Sequence, residues 1–431
     1  MAGKDIVRKL FQGDRVVWVI FLLLCGISII EVFSATSTLA YKSSNIYVPI
    51  IKHVTILSAG FLFTLGLCHV QYKLFSVGIV LMPLSLILLF VTLIIGLAIH
   101  GAPRWFFGFQ PSELAKLACI IYVAFLLSRR VKLSDNKTYN FILFGIVPIC
   151  ALILYANLST AVLLGFVCFL MMIIGQIPFK KLGKLVFQCS VILVVAVLTL
   201  CVIPQDVTKK YLPRARTWQS RVEKFIGPKL DSENTSADKK KKTYEIDPRS
   251  QETYAKIAIA KGGVFGRLPG RSIQRDFLSQ AYSDFIFAII IEELGVVGGM
   301  FVLLLYVILM FRVGIIAKRC GKLFPKYLVL GCGLMIVIQA ITHMAVTVGL
   351  FPVTGQPLPL ISKGGTSLIV TCIYMGIILS VSHYSAEMSE KDEEENDEIN
   401  EAIEELERDD LEENSEKNPI FAVETTEIEK R

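Results

Sequence analysis

Ten predominantly apolar runs of about 20 residues recur along the first 385 positions of this 431-residue chain, and a run of that length is what an α-helix needs to cross a hydrocarbon core of roughly 30 Å. In lipid the backbone must satisfy its own hydrogen bonds, so the runs predict helices rather than open sheets. They fall at 16–37, 48–68, 77–99, 112–128, 141–157, 159–177, 185–203, 285–311, 328–350 and 365–384. The expected fold class is an all-α polytopic membrane protein of about ten transmembrane helices, with a large extracytoplasmic loop at 204–284 and a re-entrant segment before the last helix. The composition agrees: 54% hydrophobic and 19% charged, against about 45–50% and 25% in soluble domains.

Lys and Arg in short connections mark the cytoplasmic side. The basic connections are 1–15 (Lys4, Arg8, Lys9, Arg15), 129–137 (Arg129, Arg130, Lys132, Lys137), 180–184 (Lys180, Lys181, Lys184) and 312–326, and all fall on one side of a ten-span count. Both termini are therefore expected in the cytoplasm of a plasma membrane, with 38–47, 100–111, 204–284 and 351–364 facing outward. The first run is long enough to span and no small-residue cleavage site follows it, which predicts an uncleaved anchor. Nine of the ten cysteines lie in spans, and Cys320 lies in a cytoplasmic connection. They read as small buried hydrophobes and not as a disulfide framework.

Charge divides the chain in two, because 20 of its 37 acidic residues follow Ser385. The tail 386–431 reads as a disordered acidic arm, either solubilising or docking cytoplasmic partners. The remaining body is strongly basic, which suits anionic lipids or anionic substrates. Nucleic-acid modules are absent. The five histidines have no metal-ligand spacing, and neither a GxSxG motif nor a paired Cys/His arrangement occurs.

Four stretches carry ionisable or glycine-rich chemistry. In HGAPRWFFGFQPSELAKLACIIY, Ser112 follows Pro111 at an expected helix start, and Glu113 and Lys116 share the first-turn face. They form either a structural pair or a site that positions a polar ligand. In SQAYSDFIFAIIIEELGVVGG, Asp284 directly precedes an apolar run, where it is either a helix cap or a general base at an aqueous cavity. Glu292 and Glu293 lie two turns deeper, and at least one must point into the protein. GLFPVTGQPLPLISKGGTSLIV is dense in Pro and Gly at membrane depth, where irregular backbone must be buried or line a cavity, and Lys363 there can reach an anion such as pyrophosphate. KGGTS lacks the upstream glycines of a Walker A loop. KGGVFGRLPG reads as a phosphate cradle or a plain hinge. In the loop before it, Arg214, Arg216, Trp218 and Arg221 cluster as an anion site or a headgroup-binding face.

Together GAPRW with QPSELAKLA, GGVFGRLPG followed by SDFIFAIIIEELGVVG, and PVTGQPLPLISKGGTS resemble the SEDS family of bacterial cell-wall proteins, in the right order over about residues 10–385. LPLIS at 358–362 and the long acidic tail resemble its division-type branch more than its elongation-type branch. The resemblance implies a ten-helix domain over 16–385 that polymerises lipid II into glycan strands on the outer face of the membrane, with undecaprenyl pyrophosphate as leaving group. It identifies Asp284 with the catalytic aspartate. It implies substrate-binding roles for Arg104, Trp105, Gln110, Ser112, Glu113, Lys116, Arg221, Gly263, Gly266, Glu293, Gln339, Ser362, Lys363, Gly364 and Gly365. Arg221 with Phe225 and Pro228 is similar to the family's Arg…Phe…Pro stretch, and 229–249 is an insertion. Lys363 and His343 depart from the family's usual Tyr and Asn, and Leu278, Ser279, Gln280 and Ala281 replace its Leu-Pro-Glu-Ala. The implied partners are a class B penicillin-binding protein and other division proteins. No cofactor is required, and a divalent cation, magnesium or manganese, is an optional aid in holding the substrate's pyrophosphate. A lipid II flippase and a non-catalytic scaffold remain alternatives from the residues alone.

Overall fold

The computed structural model describes residues 9–36, 47–95, 97–99, 102–106, 108–202, 251–278 and 280–386. The tail, the insertion 229–249, Arg214, Arg216, Trp218, Arg221, Phe225 and Pro228 lie outside them. Helix α1 (Arg15–Ala35) is followed by α2 (Val48–Cys68), a 3-10 stretch (Tyr72–Val80), α3 (Leu81–Ile95) and a two-stranded antiparallel hairpin, β1 (Leu97–Ile99) and β2 (Ala102–Trp105). Then come α4 (Pro111–Ser128), α5 (Asp135–Ala156), α6 (Leu158–Ile174), α7 (Phe179–Val202), α8 (Gln251–Gly262), α9 (Ile286–Arg319), α10 (Leu323–Thr347) and α11 (Gly365–Ala386).

All ten expected spans fall on helices. Among the described residues, eight helices are long and apolar enough to cross a membrane, and α6 is a shorter apolar helix of 17 residues. The third span ends at Ile95 and not at 99, because the outward loop folds back as the β1–β2 hairpin. Helix α9 runs on to Arg319, so most of the basic connection expected at 312–326 is helical, and only 320–322 joins α9 to α10. Asp14 caps α1 by accepting from the backbone N–H groups of Val16 and Val17 at 2.9 and 3.2 Å. The same carboxylate takes Arg312 Nε at 2.5 Å, so the start of α1 meets the far part of α9.

Burial separates centre from rim. About 72% of the apolar stretches of α4 and α10 and 83% of that of α11 are buried inside the protein, against 22% for α2, α3 and α5. The central helices are therefore the ones that can hold polar side chains away from lipid, and Glu113, Lys116, Gln339 and His343 all sit on them.

Helix α9 is not continuous. Gly295 interrupts it at φ 73° and ψ −176°, which frees the N–H groups of Val296 and Val297 and the carbonyls of Glu292 and Glu293. Val296 and Val297 donate to the carbonyls of Gly263 and Val264 at 3.0 and 3.2 Å, and the two freed carbonyls accept from the N–H groups of Arg267 and Leu268 at 3.0 and 2.8 Å. The glycine-rich loop after α8 thus fills the break group for group, as a backbone interrupted inside a membrane protein must be filled. At Gly266, also at positive φ (75°), a β-carbon would lie 2.2 Å from the Glu293 carbonyl oxygen, so only glycine fits this approach.

Candidate active site

The turns at 281–285 deliver Asp284 to the head of α9. Its N–H donates to the Gln280 carbonyl at 3.1 Å, and its carboxylate Oδ1 accepts from the Ser283 hydroxyl at 3.0 Å. The side chain stays half-buried. On its other oxygen lies Gly355, where an added methyl would come within 3.4 Å of Oδ2. The segment 351–364 therefore passes beside the carboxylate.

That segment is irregular, and it is held from three helices, α1, α9 and α10, and from the turn at 281–285. Gln339 Nε2 donates to the Pro357 carbonyl at 2.9 Å, His343 Nδ1 to that of Gln356 at 2.7 Å, and the Tyr306 hydroxyl to that of Pro359. The Ser28 hydroxyl donates to the Ile361 carbonyl at 2.8 Å, the Ser362 hydroxyl to the Ser283 carbonyl at 2.7 Å, and the Lys363 N–H to the Tyr282 carbonyl at 2.9 Å. The last two bonds dock 358–363 directly onto the turn that carries Asp284. Ser362 also accepts from the Leu358 N–H at 2.7 Å, so its hydroxyl is engaged within the wall. Gly364 and Gly365 open α11, with the Gly364 carbonyl accepting from the Leu368 N–H at 2.9 Å.

Glu113 and Lys116 form a buried ion pair at 2.9 Å. Lys116 Nζ also donates to Gln339 Oε1 at 3.0 Å, and Gln339 in turn holds Pro357. These three residues are 1 to 3% exposed. They act as a strut from α4 through α10 to the irregular segment, which is the structural alternative for the pair and places Gln339 inside the strut. Gln110 and Ser112 stay half-buried at the start of α4, with Gln110 Nε2 donating to Ser112 Oγ at 3.0 Å. Arg104 and Trp105 fall on β2, whose backbone alone is described.

Glu293 and the glycines of KGGVFGRLPG make contacts within the protein. Glu293 is fully buried and accepts from the Ser34 hydroxyl and from the N–H groups of Gly270 and Ser272 at 3.0 and 3.1 Å. Glu292, also fully buried, accepts from the Ser272 hydroxyl and the N–H groups of Ile273 and Gln274. The two carboxylates clamp the loop 270–274 to α9 and present no oxygen to solvent. Gly263 and Gly266 approach the backbone of α9, Gly263 through its carbonyl and Gly266 through the lack of a side chain. A carboxylate surrounded by donors is stable at full burial.

Three groups at the site were missed by motif reading. Tyr282 carries the Lys363 ammonium 5.2 Å over its ring. Burial, and then the Asp284 carboxylate, raise the Tyr282 phenol above its ordinary value. His53 Nε2 meets the Ser28 hydroxyl at 2.9 Å, which brings the first turns of α2 against 361–363. Lys52, the residue before it, is exposed. Burial, and then the Lys52 ammonium, lower Lys363 below the ordinary lysine value. Two basic residues inside an apolar run were the available signal for Lys52 and His53. The same signal applies to Glu31 on α1, which is fully buried with both oxygens unpartnered. Among the described residues no three His, Cys, Asp or Glu side chains are grouped to hold a metal ion.

The FtsW/RodA/SpoVE family model, described as cell cycle protein, matches residues 14–387. A protein of Wigglesworthia glossinidia brevipalpis, named probable peptidoglycan glycosyltransferase FtsW, is 28% identical over 392 residues, 88% of this chain and 96% of its own length. The protein of the same name from Bacillus subtilis is 30% identical over 384 residues, 84% of this chain and 89% of its own. Among solved structures, a chain of a peptidoglycan synthase complex that coordinates polymerization and crosslinking superposes with a TM-score of 0.62 at 26% identity, covering 86% of this chain and 98% of its own.

Proposed function

Because this chain belongs to the FtsW/RodA/SpoVE family of cell cycle proteins, we propose that it is a multi-pass membrane peptidoglycan glycosyltransferase of the division type, polymerising lipid II with Asp284 as general base. The observation that carries the role of Asp284 is its contrast with its neighbours. Glu292 and Glu293 are sealed among donors, while Asp284 stands half-buried at the head of the helix, beside the irregular segment. A carboxylate in a partly apolar wall, with access for a substrate, is suited to taking a proton.

In the proposed reaction the acceptor sugar hydroxyl attacks the anomeric carbon of the donor. Asp284 removes the hydroxyl proton as the new C–O bond forms, and the bond to the lipid-carrying diphosphate breaks with inversion. One base is enough for such a displacement, in contrast to the paired carboxylates of glycosidases.

The named relatives favour the division type over the elongation type. Likeness to a chain of a polymerizing and crosslinking complex favours a class B penicillin-binding protein as partner. The proposed setting is the plasma membrane at the division septum, with both termini cytoplasmic and Asp284 facing outward. The Asp14–Arg312 contact supports this sidedness, because it joins the start of α1 to the basic end of α9, away from the end that bears Asp284. The test is lipid II polymerisation by purified protein with and without the partner. Asp284→Asn is expected to abolish the product ladder while the protein stays folded, and a normal ladder from that variant overturns the assignment.

A further inference from the structure

Lys363 in the segment beside Asp284 and Lys52 at the nearby start of α2 are two cations with no carboxylate ion pair among the described residues. Lys363 is fixed by its backbone bond to Tyr282 and keeps its ammonium over the Tyr282 ring. Among the described residues it makes no ion pair with a carboxylate. Lys52 approaches from α2, whose first turns are drawn to the same place by the His53–Ser28–Ile361 chain of hydrogen bonds at 2.9 and 2.8 Å. It too has no carboxylate partner among the described residues. The Lys52 ammonium lies near enough to add, after burial, to the lowered pKa of Lys363. Like charges held together at a half-buried place raise the energy of the empty protein. A polyanion spanning both relieves that cost and adds charge-assisted hydrogen bonds.

We propose that Lys52 and Lys363 form a two-cation subsite for the diphosphate of the lipid-linked donor, with Tyr282 separating it from the base. This rests on the glycosyl-transfer reading above. During transfer the acceptor oxygen bonds to the anomeric carbon and the bond from that carbon to the diphosphate oxygen breaks. The electron pair goes to the diphosphate, whose negative charge rises by one, and the hydroxyl proton goes to Asp284. Two fixed cations stabilise that developing charge more than they stabilise the bound substrate. Lys52, exposed and long, closes on the ligand from the lipid-facing helix, while Lys363 is pre-positioned. His53 and Ser28 act as positioning residues, since they set the distance between α2 and the segment that bears Lys363.

The experiment separates this subsite from turnover by using the Asp284→Asn protein, full length and in detergent, with farnesyl diphosphate as probe. Lys52→Gln and Lys363→Gln are each expected to weaken binding about tenfold, as the loss of a hydrogen bond to a charged group does, and the double variant is expected to weaken it further. Lys52→Arg should retain binding, which shows that α2 is still in place. Farnesyl monophosphate should lose less than the diphosphate, and phosphatidylglycerol micelles should bind all variants alike. Unchanged affinity for farnesyl diphosphate in both single variants overturns the proposal. So does an equal loss for phosphatidylglycerol, which would make the two lysines a general headgroup surface. If the wild-type chain makes no polymer yet the diphosphate dependence holds, the glycosyl-transfer reading fails and the subsite stands.

Discussion

Asp284 and the pair Glu292–Glu293 belong to one stretch of chain, about two and a half helical turns apart, yet the protein treats them in opposite ways. The two glutamates are fully buried and filled with N–H and hydroxyl donors from 270–274 and Ser34. Asp284 is left half-buried where the chain turns. Filling a carboxylate with donors at full burial makes it part of the scaffold, whereas a half-buried carboxylate at a turn sits where a substrate can approach it. Glu31 is a third case, sealed like the glutamates but with neither oxygen partnered.

The comparison breaks first at its catalytic arm. Asp284→Asn is expected to reduce lipid II polymerisation by about 10²–10⁴-fold, the usual contribution of a general base, with no change in the thermal unfolding midpoint. Glu293→Ala should do the reverse. It leaves the N–H groups of Gly270 and Ser272 unpaired, which costs about 2–5 kcal/mol of stability, seen as a lowered unfolding midpoint even where residual turnover per folded molecule persists. A Glu293→Ala protein as stable as wild type would erase the distinction.

Two smaller effects sharpen it. Replacing Glu31 with Met removes an unpartnered buried carboxyl and is expected to stabilise the protein by about 1–3 kcal/mol, measured by denaturation in detergent. The smallest effect concerns Lys363. Its folded-state pKa is lowered, so between that value and the ordinary lysine value the unfolded chain binds more protons, and stability should rise with pH. Stability measured from neutral to alkaline pH should show this rise in wild type and lose it in Lys363→Gln.

Much of this was legible in the sequence. The ten apolar runs located the helices because spanning length is set by the bilayer, and Asp284 stood out as an acid at the mouth of such a run. The break in α9 was not legible. Gly295 lies in an apolar stretch that reads as unbroken helix, and its cause is a set of hydrogen bonds from residues some 30 positions earlier. The donors around Glu293 were hidden for the same reason, since they come from Ser34 and from 270–272. Lys52 and His53 were hidden inside a span whose average hydropathy masked them. The hairpin at 97–105 was lost where a predicted span ran past its end.

The interruption at Gly295 also divides one long rod into two, splinted by the loop 263–268. The upper piece, Ile286–Leu294, carries Asp284 at its head, and the lower piece runs to Arg319, with Arg312 fastened to Asp14. Because the splint bonds to both pieces, the lower rod cannot swing without dragging the loop. Tilting it from the Arg312 end is thereby geared to the turn that holds Asp284.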